Sequence, residues 1–139
     1  MKNNCMNTKK LMLIDDDRDD RFFFHLVVEE LAPKFELTMV KNGKEALYQL
    51  RHSDKLPDYI FLDLNMYEMP GKQCLLELKN DERLKNIPVV IYTTSAYPKD
   101  MQDCLELGAV HYLQKPFDLT MLSSEIVNII ESVEHRIHL

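Results

Sequence analysis

The chain has 139 residues, enough for one domain with a single core. Its 45% hydrophobic and 29% charged residues fall in the ordinary globular range. With 23 acidic against 17 basic residues the net charge is -6, which speaks against a nucleic-acid surface, built as that is on a concentrated basic patch, and against adhesion to anionic membranes.

Met1 to Lys10 is polar, and the apolar run that follows, Leu11 to Ile14, is too short for a signal peptide or a spanning helix. Cys5, Cys74 and Cys104 show no C-x-x-C pairing and no histidine at metal spacing. They are expected to be reduced thiols of a cytoplasmic protein. Cys74 and Cys104 occupy apolar positions of helical patterns, as small buried hydrophobes do.

The Leu11 to Ile14 run has the mark of a strand buried on both faces, and it ends in Asp15-Asp16-Asp17. From about Asp19 to Leu31 the apolar residues Phe23, Phe24, Val27 and Leu31 follow helical spacing, with Asp16 or Asp17 as N-cap and Pro33 closing the helix. Phe35 to Val40 is a second strand, and Asn42-Gly43 turns into a helix carrying Ala46, Leu47 and Leu50. Tyr59 to Leu62 is the third strand, followed by Asp63, a loop broken at Gly71, and a helix carrying Cys74, Leu75 and Leu78.

Val89 to Tyr92 is the fourth strand, running into Thr93-Thr94-Ser95. A helix from about Lys99 to Leu107 stops at Gly108, a natural C′ residue. Tyr112 to Gln114 is a short fifth strand ending at Lys115-Pro116, and positions 119, 122, 126, 129, 130 and 133 give the last helix an apolar stripe. The tail Glu134 to Leu139 continues that helix and frays.

Five βα units in strict alternation predict a single α/β domain over residues 1–139, its core at about 10–131, with a five-stranded parallel sheet covered on both faces. In such a sheet, ligands bind beyond the carboxyl ends of the strands. The residues placed there are Asp15 and Asp16, Asp63, Thr93 and Lys115. Asp63 by itself reads as a helix cap, but three converging carboxylates stay ionised only beside a compensating cation. An all-oxygen set suits Mg2+. One acid could then accept a phosphoryl group as an aspartyl phosphate, with the metal, the lysine and a hydroxyl sharing its oxygens.

These pieces, in this order, resemble the receiver domain of bacterial response regulators, in particular the single-domain, chemotaxis-regulator-like members. The residues that carry the resemblance are the run into Asp15-Asp16, Asn42 to Leu47, Asp63-Leu64-Asn65-Met66, Pro88 to Thr93, Gly108-Ala109, and Tyr112 with Lys115-Pro116-Phe117. It covers Leu11 to about Ile130 and implies a doubly wound (βα)5, flavodoxin-like fold. It further implies that Asp63 is the phosphoacceptor and that Asp15 and Asp16 position Mg2+, with the main-chain carbonyl of Asn65. Thr93 and Tyr112 would be the switch residues, Lys115 would contact the phosphoryl group, and the Lys115–Pro116 bond would be cis.

The implied function is a stand-alone response regulator of a two-component phosphorelay. It would take its phosphoryl group from a sensor histidine kinase and catalyse its own phosphorylation and dephosphorylation without being a turnover enzyme. Output would pass to a downstream protein, to a histidine phosphotransfer domain, or through a homodimer; no nucleic acid and no membrane is expected. The competing reading is a magnesium-dependent phosphatase working through an aspartyl phosphate, although Asp15-x-Asp17 meets the haloacid-dehalogenase pattern only nominally. A constitutive scaffold is the third reading.

Two positions depart from the family pattern. Proline is common four residues after the phosphoacceptor, where this chain has Tyr67, and Thr94 stands where alanine or glycine is usual. Asp17, Asp19 and Asp20 are expected to be a solvated first turn, acids being favoured at a helix N-terminus. Of Phe22, Phe23 and Phe24, Phe22 is expected to be the partly exposed one.

Overall fold

The computed structural model describes residues 7–137, so Cys5 and the last two residues of the tail lie outside the described residues. The strands are β1 (Lys9–Ile14), β2 (Phe35–Val40), β3 (Tyr59–Leu62), β4 (Val89–Thr93) and β5 (His111–Gln114). The helices between and after them are α1 (Arg18–Glu30), α2 (Gly43–Arg51), α3 (Gly71–Lys79), α4 (Pro98–Glu106) and α5 (Leu122–Ile137), the last preceded by a 3-10 turn at Leu119–Met121. All strand pairs are parallel and the sheet order is β2-β1-β3-β4-β5. The order reverses between β1 and β3, and a doubly wound sheet opens its ligand crevice at such a point.

The two-residue period of the strands splits the core between the two faces of the sheet. Met12, Ile14, Ile60, Leu62, Val89 and Ile91 pack beneath Ala46, Leu47, Leu50, Cys74, Leu75, Leu78 and Cys104 of α2, α3 and α4. Leu11, Leu13, Tyr59, Phe61, Val90 and Tyr92 face Phe24, Val27 and Val28 of α1 and Ile126, Ile129, Ile130 and Val133 of α5. Burial raises the thiols of Cys74 and Cys104, to about 12 and about 11, which leaves both protonated.

Helix starts follow local chemistry. The Asp17 side chain accepts from Asp20 N at 3.0 Å and the Asn42 side chain from Glu45 N at 2.8 Å, caps that each stabilise by about 1 kcal/mol. Gly71 opens α3 for a different reason. A Cβ there would stand 2.2 Å from the Asp63 carbonyl oxygen and 2.5 Å from Leu64 Cα. The chain beyond Asp63 can therefore fold back on itself, closed by Gly71 N donating to Leu64 O at 2.9 Å.

The fold departs from the sequence expectations at several points. Phe23 as well as Phe22 is exposed, because the inward stripe of α1 runs through Phe24, Val27 and Val28. β4 extends to Thr93 and α4 begins at Pro98, a residue suited to the first helical turn. The Lys115–Pro116 bond is trans, and the cis X–Pro bond lies at Ala32–Pro33. Lys115 already reaches the crevice from this geometry, with its N–H held by Thr93 O at 2.7 Å.

Candidate functional site

The carboxyl edge of the sheet places Asp15 after β1, Asp63 after β3, Thr93 at the end of β4 and Lys115 after β5. Main-chain bonds continue the sheet into the site: Asp15 N donates to Val40 O and Asp63 N to Ile14 O, both at 3.0 Å. Asp15, Asp63 and Thr93 are the buried polar residues of the described chain. Three charged or polar groups removed from water at one edge need partners, because unpaired burial is costly.

Lys115 supplies much of the pairing. Its Nζ lies 2.8 Å from Asp15 Oδ2, 3.3 Å from Asp63 Oδ2 and 2.6 Å from Asp20 Oδ2, and it stands 5.3 Å from the centre of the Tyr92 ring. Asp15 Oδ1 accepts from Asp17 N at 2.9 Å, and Asp63 Oδ1 from Asn65 N at 3.3 Å. Burial pushes the Asp15 carboxyl up to about 6, against the pull of Lys115. Burial alone would lower the Lys115 ammonium, but its hydrogen bonds to Asp15 and Asp20 and the charges of Asp15 and Asp63 leave it raised. The lysine is therefore a fixed cation, and Asp15 carries a charge that its burial disfavours.

Asp15, Asp16 and Asp63 each bring one carboxylate oxygen to within 4.8 Å of the others. One ammonium shared with a fourth acid, Asp20, does not balance this set. The donors are all hard oxygens, with no thiolate or imidazole, and fit a hard divalent cation of the magnesium or manganese kind.

Thr93 connects the crevice to the next helix. Its hydroxyl accepts from Ser95 N at 3.4 Å, Ser95 Oγ donates to Asp100 Oδ2 at 2.6 Å, and the Tyr112 hydroxyl donates to Ser95 O at 3.0 Å. Ser95 thus touches both residues that the sequence singles out as switches. Thr94 is exposed.

Sequence reasoning brought together Asp15, Asp16, Asp63, Thr93 and Lys115, and the fold assembles them. It misplaced Asp20. Asp17 and Asp19 are exposed, as a solvated first turn should be, but Asp20 turns inward to Lys115. Its place four residues before Phe24, on the inward stripe of α1, is the signal that could have found it, since such residues share a face. Two more contributions were missed: Arg21 donates to Asp15 O at 2.9 Å, and Tyr67 N donates to Asp16 Oδ2 at 3.0 Å.

Residues 11–127 match the profile of the response regulator receiver domain. The chain is 31% identical over 116 residues to a probable cyclic di-GMP phosphodiesterase of Vibrio cholerae, covering 84% of this chain but only 25% of that much longer protein. It is 33% identical over 120 residues to the two-component response regulator ORR11 of rice (Oryza sativa subsp. indica), covering 84% of this chain and 80% of that one. Among solved structures, the phosphorylated cyanobacterial phytochrome response regulator RcpA superposes with a TM-score of 0.81 at 31% identity, over 89% of this chain and 92% of that one. The Mn(2+)-bound form of response regulator Rcp1 does so with a TM-score of 0.77 at 30% identity, over 87% and 91%. No helix among the described residues is long and apolar enough to cross a membrane.

Proposed function

The chain belongs to the response regulator receiver domain family, and on that premise we propose that Asp63 is its phosphoacceptor. Members of the family are two-component response regulators that accept a phosphoryl group on an aspartate, bind a divalent metal in an acidic pocket and are phosphorylated by sensor histidine kinases. The observation that supports Asp63 for this chain is the bridge from Lys115 Nζ to Asp63 Oδ2 and Asp15 Oδ2, with Asp16 alongside. The domain belongs to a family of signalling regulators, which favours a signalling receiver over a turnover phosphatase.

In this reading an Asp63 carboxylate oxygen forms a P–O bond as the P–N bond of a phosphohistidine breaks. The bonding pair leaves with the imidazole nitrogen. Lys115, already 3.3 Å from Asp63 Oδ2, donates to the incoming phosphoryl oxygens and offsets their charge. Asp15, Asp16 and Asp63, with the Asn65 carbonyl, would hold Mg2+, which when bound supplies positive charge where the transferring phosphoryl group gathers negative charge. These groups let the domain promote its own phosphorylation and later hydrolysis.

The phosphoryl group brings nearly two negative charges and new acceptor oxygens. The Thr93 hydroxyl turns to donate to one of them and gives up its contact with Ser95 N. Ser95 carries the Tyr112 hydroxyl on its carbonyl and Asp100 on its own hydroxyl. A shift at Thr93 thus redistributes Tyr112 and the start of α4 between two packings. Output is a changed affinity for a downstream protein or a histidine phosphotransfer domain. The setting is the cytoplasm.

The test is incubation with a small acyl phosphate, with and without magnesium, followed by intact mass. Wild type gains one phosphoryl unit only with magnesium, and Asp63→Asn gains none there. An equal gain by Asp63→Asn at the same site would overturn the assignment.

A further inference from the structure

We infer that the main-chain N–H of Tyr67 is a positioning group for Asp16, setting how tightly the acidic crevice holds its divalent cation. This rests on reading Asp15, Asp16 and Asp63 as the cation site. Lys115 reaches Asp15, Asp63 and Asp20. It does not reach Asp16. Among the described residues, the Asp16 carboxylate makes a different contact, accepting from Tyr67 N at 3.0 Å across 51 positions of sequence.

The amide is held in place from both sides. Met66 and Met69 are buried in the core that packs under α2 and α3, and Gly71 N closes the loop on Leu64 O. The Tyr67 side chain, by contrast, is 97% exposed. What this residue contributes to the crevice is therefore its backbone donor, whatever its side chain does in solvent.

A donor to an ionised carboxylate makes one of the stronger protein hydrogen bonds. Occupying one oxygen leaves the other free for a cation and fixes the plane of the group. Partners of this kind, one step out from a metal, typically change affinity by about 10–100-fold when removed. Proline has no N–H. Where the family resemblance leads one to expect proline, this chain has a residue that can hold the carboxylate through its backbone. The departure at Tyr67 thus adds a tether between the loops after β1 and β3.

Three proteins separate the backbone donor from the side chain. By calorimetric titration with magnesium, Tyr67→Ala, which keeps the N–H, binds as wild type does, and Tyr67→Pro binds about tenfold more weakly. In the metal-free wild type the Tyr67 amide exchanges with solvent more slowly than the same amide in Asp16→Ala.

Equal affinities for Tyr67→Pro and Tyr67→Ala, with wild type binding magnesium normally, would overturn the positioning role and leave the cation site standing. A wild type that binds no magnesium would overturn both. If Tyr67→Pro does not fold, the exchange measurement decides, and a Tyr67 amide that exchanges equally fast in wild type and Asp16→Ala refutes the tether.

Discussion

Two lysines in this molecule each bridge several aspartates, and their surroundings give the same motif opposite characters. Lys115 joins Asp15, Asp63 and Asp20 inside the crevice, with its own side chain 8% exposed and that of Asp15 fully buried. Lys72 of α3 joins Asp100 and Asp103 of α4 at 2.7 and 2.9 Å, with its side chain 35% exposed. Around Lys72, hydrogen bonds from the lysine hold both carboxyls below their ordinary value, helped at Asp100 by Ser95. Around Lys115, burial outweighs the same attraction and pushes Asp15 up to about 6. The open cluster is satisfied as it stands and braces two helices. The buried one holds more negative charge than its lysine can offset, and the proposed cation site rests on that imbalance.

Removing the lysine tests the contrast most severely. Lys115→Ala leaves Asp15 and Asp63 buried without their cation and is expected to cost about 3–5 kcal/mol in chelator at neutral pH. Urea unfolding measures this, and magnesium should restore part of the loss. A variant as stable as wild type in chelator would show that the crevice acids are not strained by their burial.

Gly71→Ala comes next. Its Cβ would collide with the backbone of Asp63 and Leu64, so the loop must move, at a cost of about 1–3 kcal/mol. Phosphoacceptor labelling should fall with stability, because the displaced residue is Asp63 itself. Unchanged stability and labelling would mean that the close approach does not fix the loop.

The two clusters should also respond to acid with opposite signs. The folded Asp15 value of about 6 lies above the ordinary carboxyl value of 3.8, so the folded chain binds the extra proton. Metal-free wild type therefore gains stability as pH falls through about 6 toward 4, and Asp15→Asn does not. Magnesium affinity moves the other way, weakening below about pH 6 as Asp15 protonates. Asp100 and Asp103 are lowered on folding. Their contribution is present above the ordinary carboxylate range and is lost as acid protonates them. Unfolding midpoints across this range, for wild type and Asp15→Asn, check the signs.

The smallest effect is expected from Lys72→Ala. Its ion pairs are open to water, and such pairs contribute little to stability. Its unfolding midpoint should be hard to distinguish from that of a neutral surface substitution and insensitive to magnesium. A loss comparable to that of Lys115→Ala would erase the distinction between the clusters.

The parts of the site legible in the sequence are those fixed by position along one strand. Asp15, Asp63, Thr93 and Lys115 each follow an apolar β run, and parallel alternation forces such residues to one edge. Asp20 was misjudged because acids suit any exposed first turn, and nothing local says that Lys115 will arrive opposite it from 95 positions away. The Tyr67 amide escaped for a related reason: a backbone donor carries no side-chain signature, and its partner is set by how two loops meet. Phe23 shows the limit of helical spacing, which places a residue near the inward stripe without saying how far α1 is rolled. Cys74 and Cys104 were legible as core because both sit within clear apolar periodicity.

Of the four carboxylates in this crevice, one is proposed to take the phosphoryl group. The most direct measurement labels the protein with an acyl phosphate and magnesium, reduces the product with borohydride, and locates the modified residue by peptide fragmentation. An acyl phosphate on an aspartate is reduced to homoserine, so the scar marks the acceptor. Homoserine at position 63 alone is the predicted result. Homoserine at position 15, 16 or 20, with Asp63 intact, would contradict it.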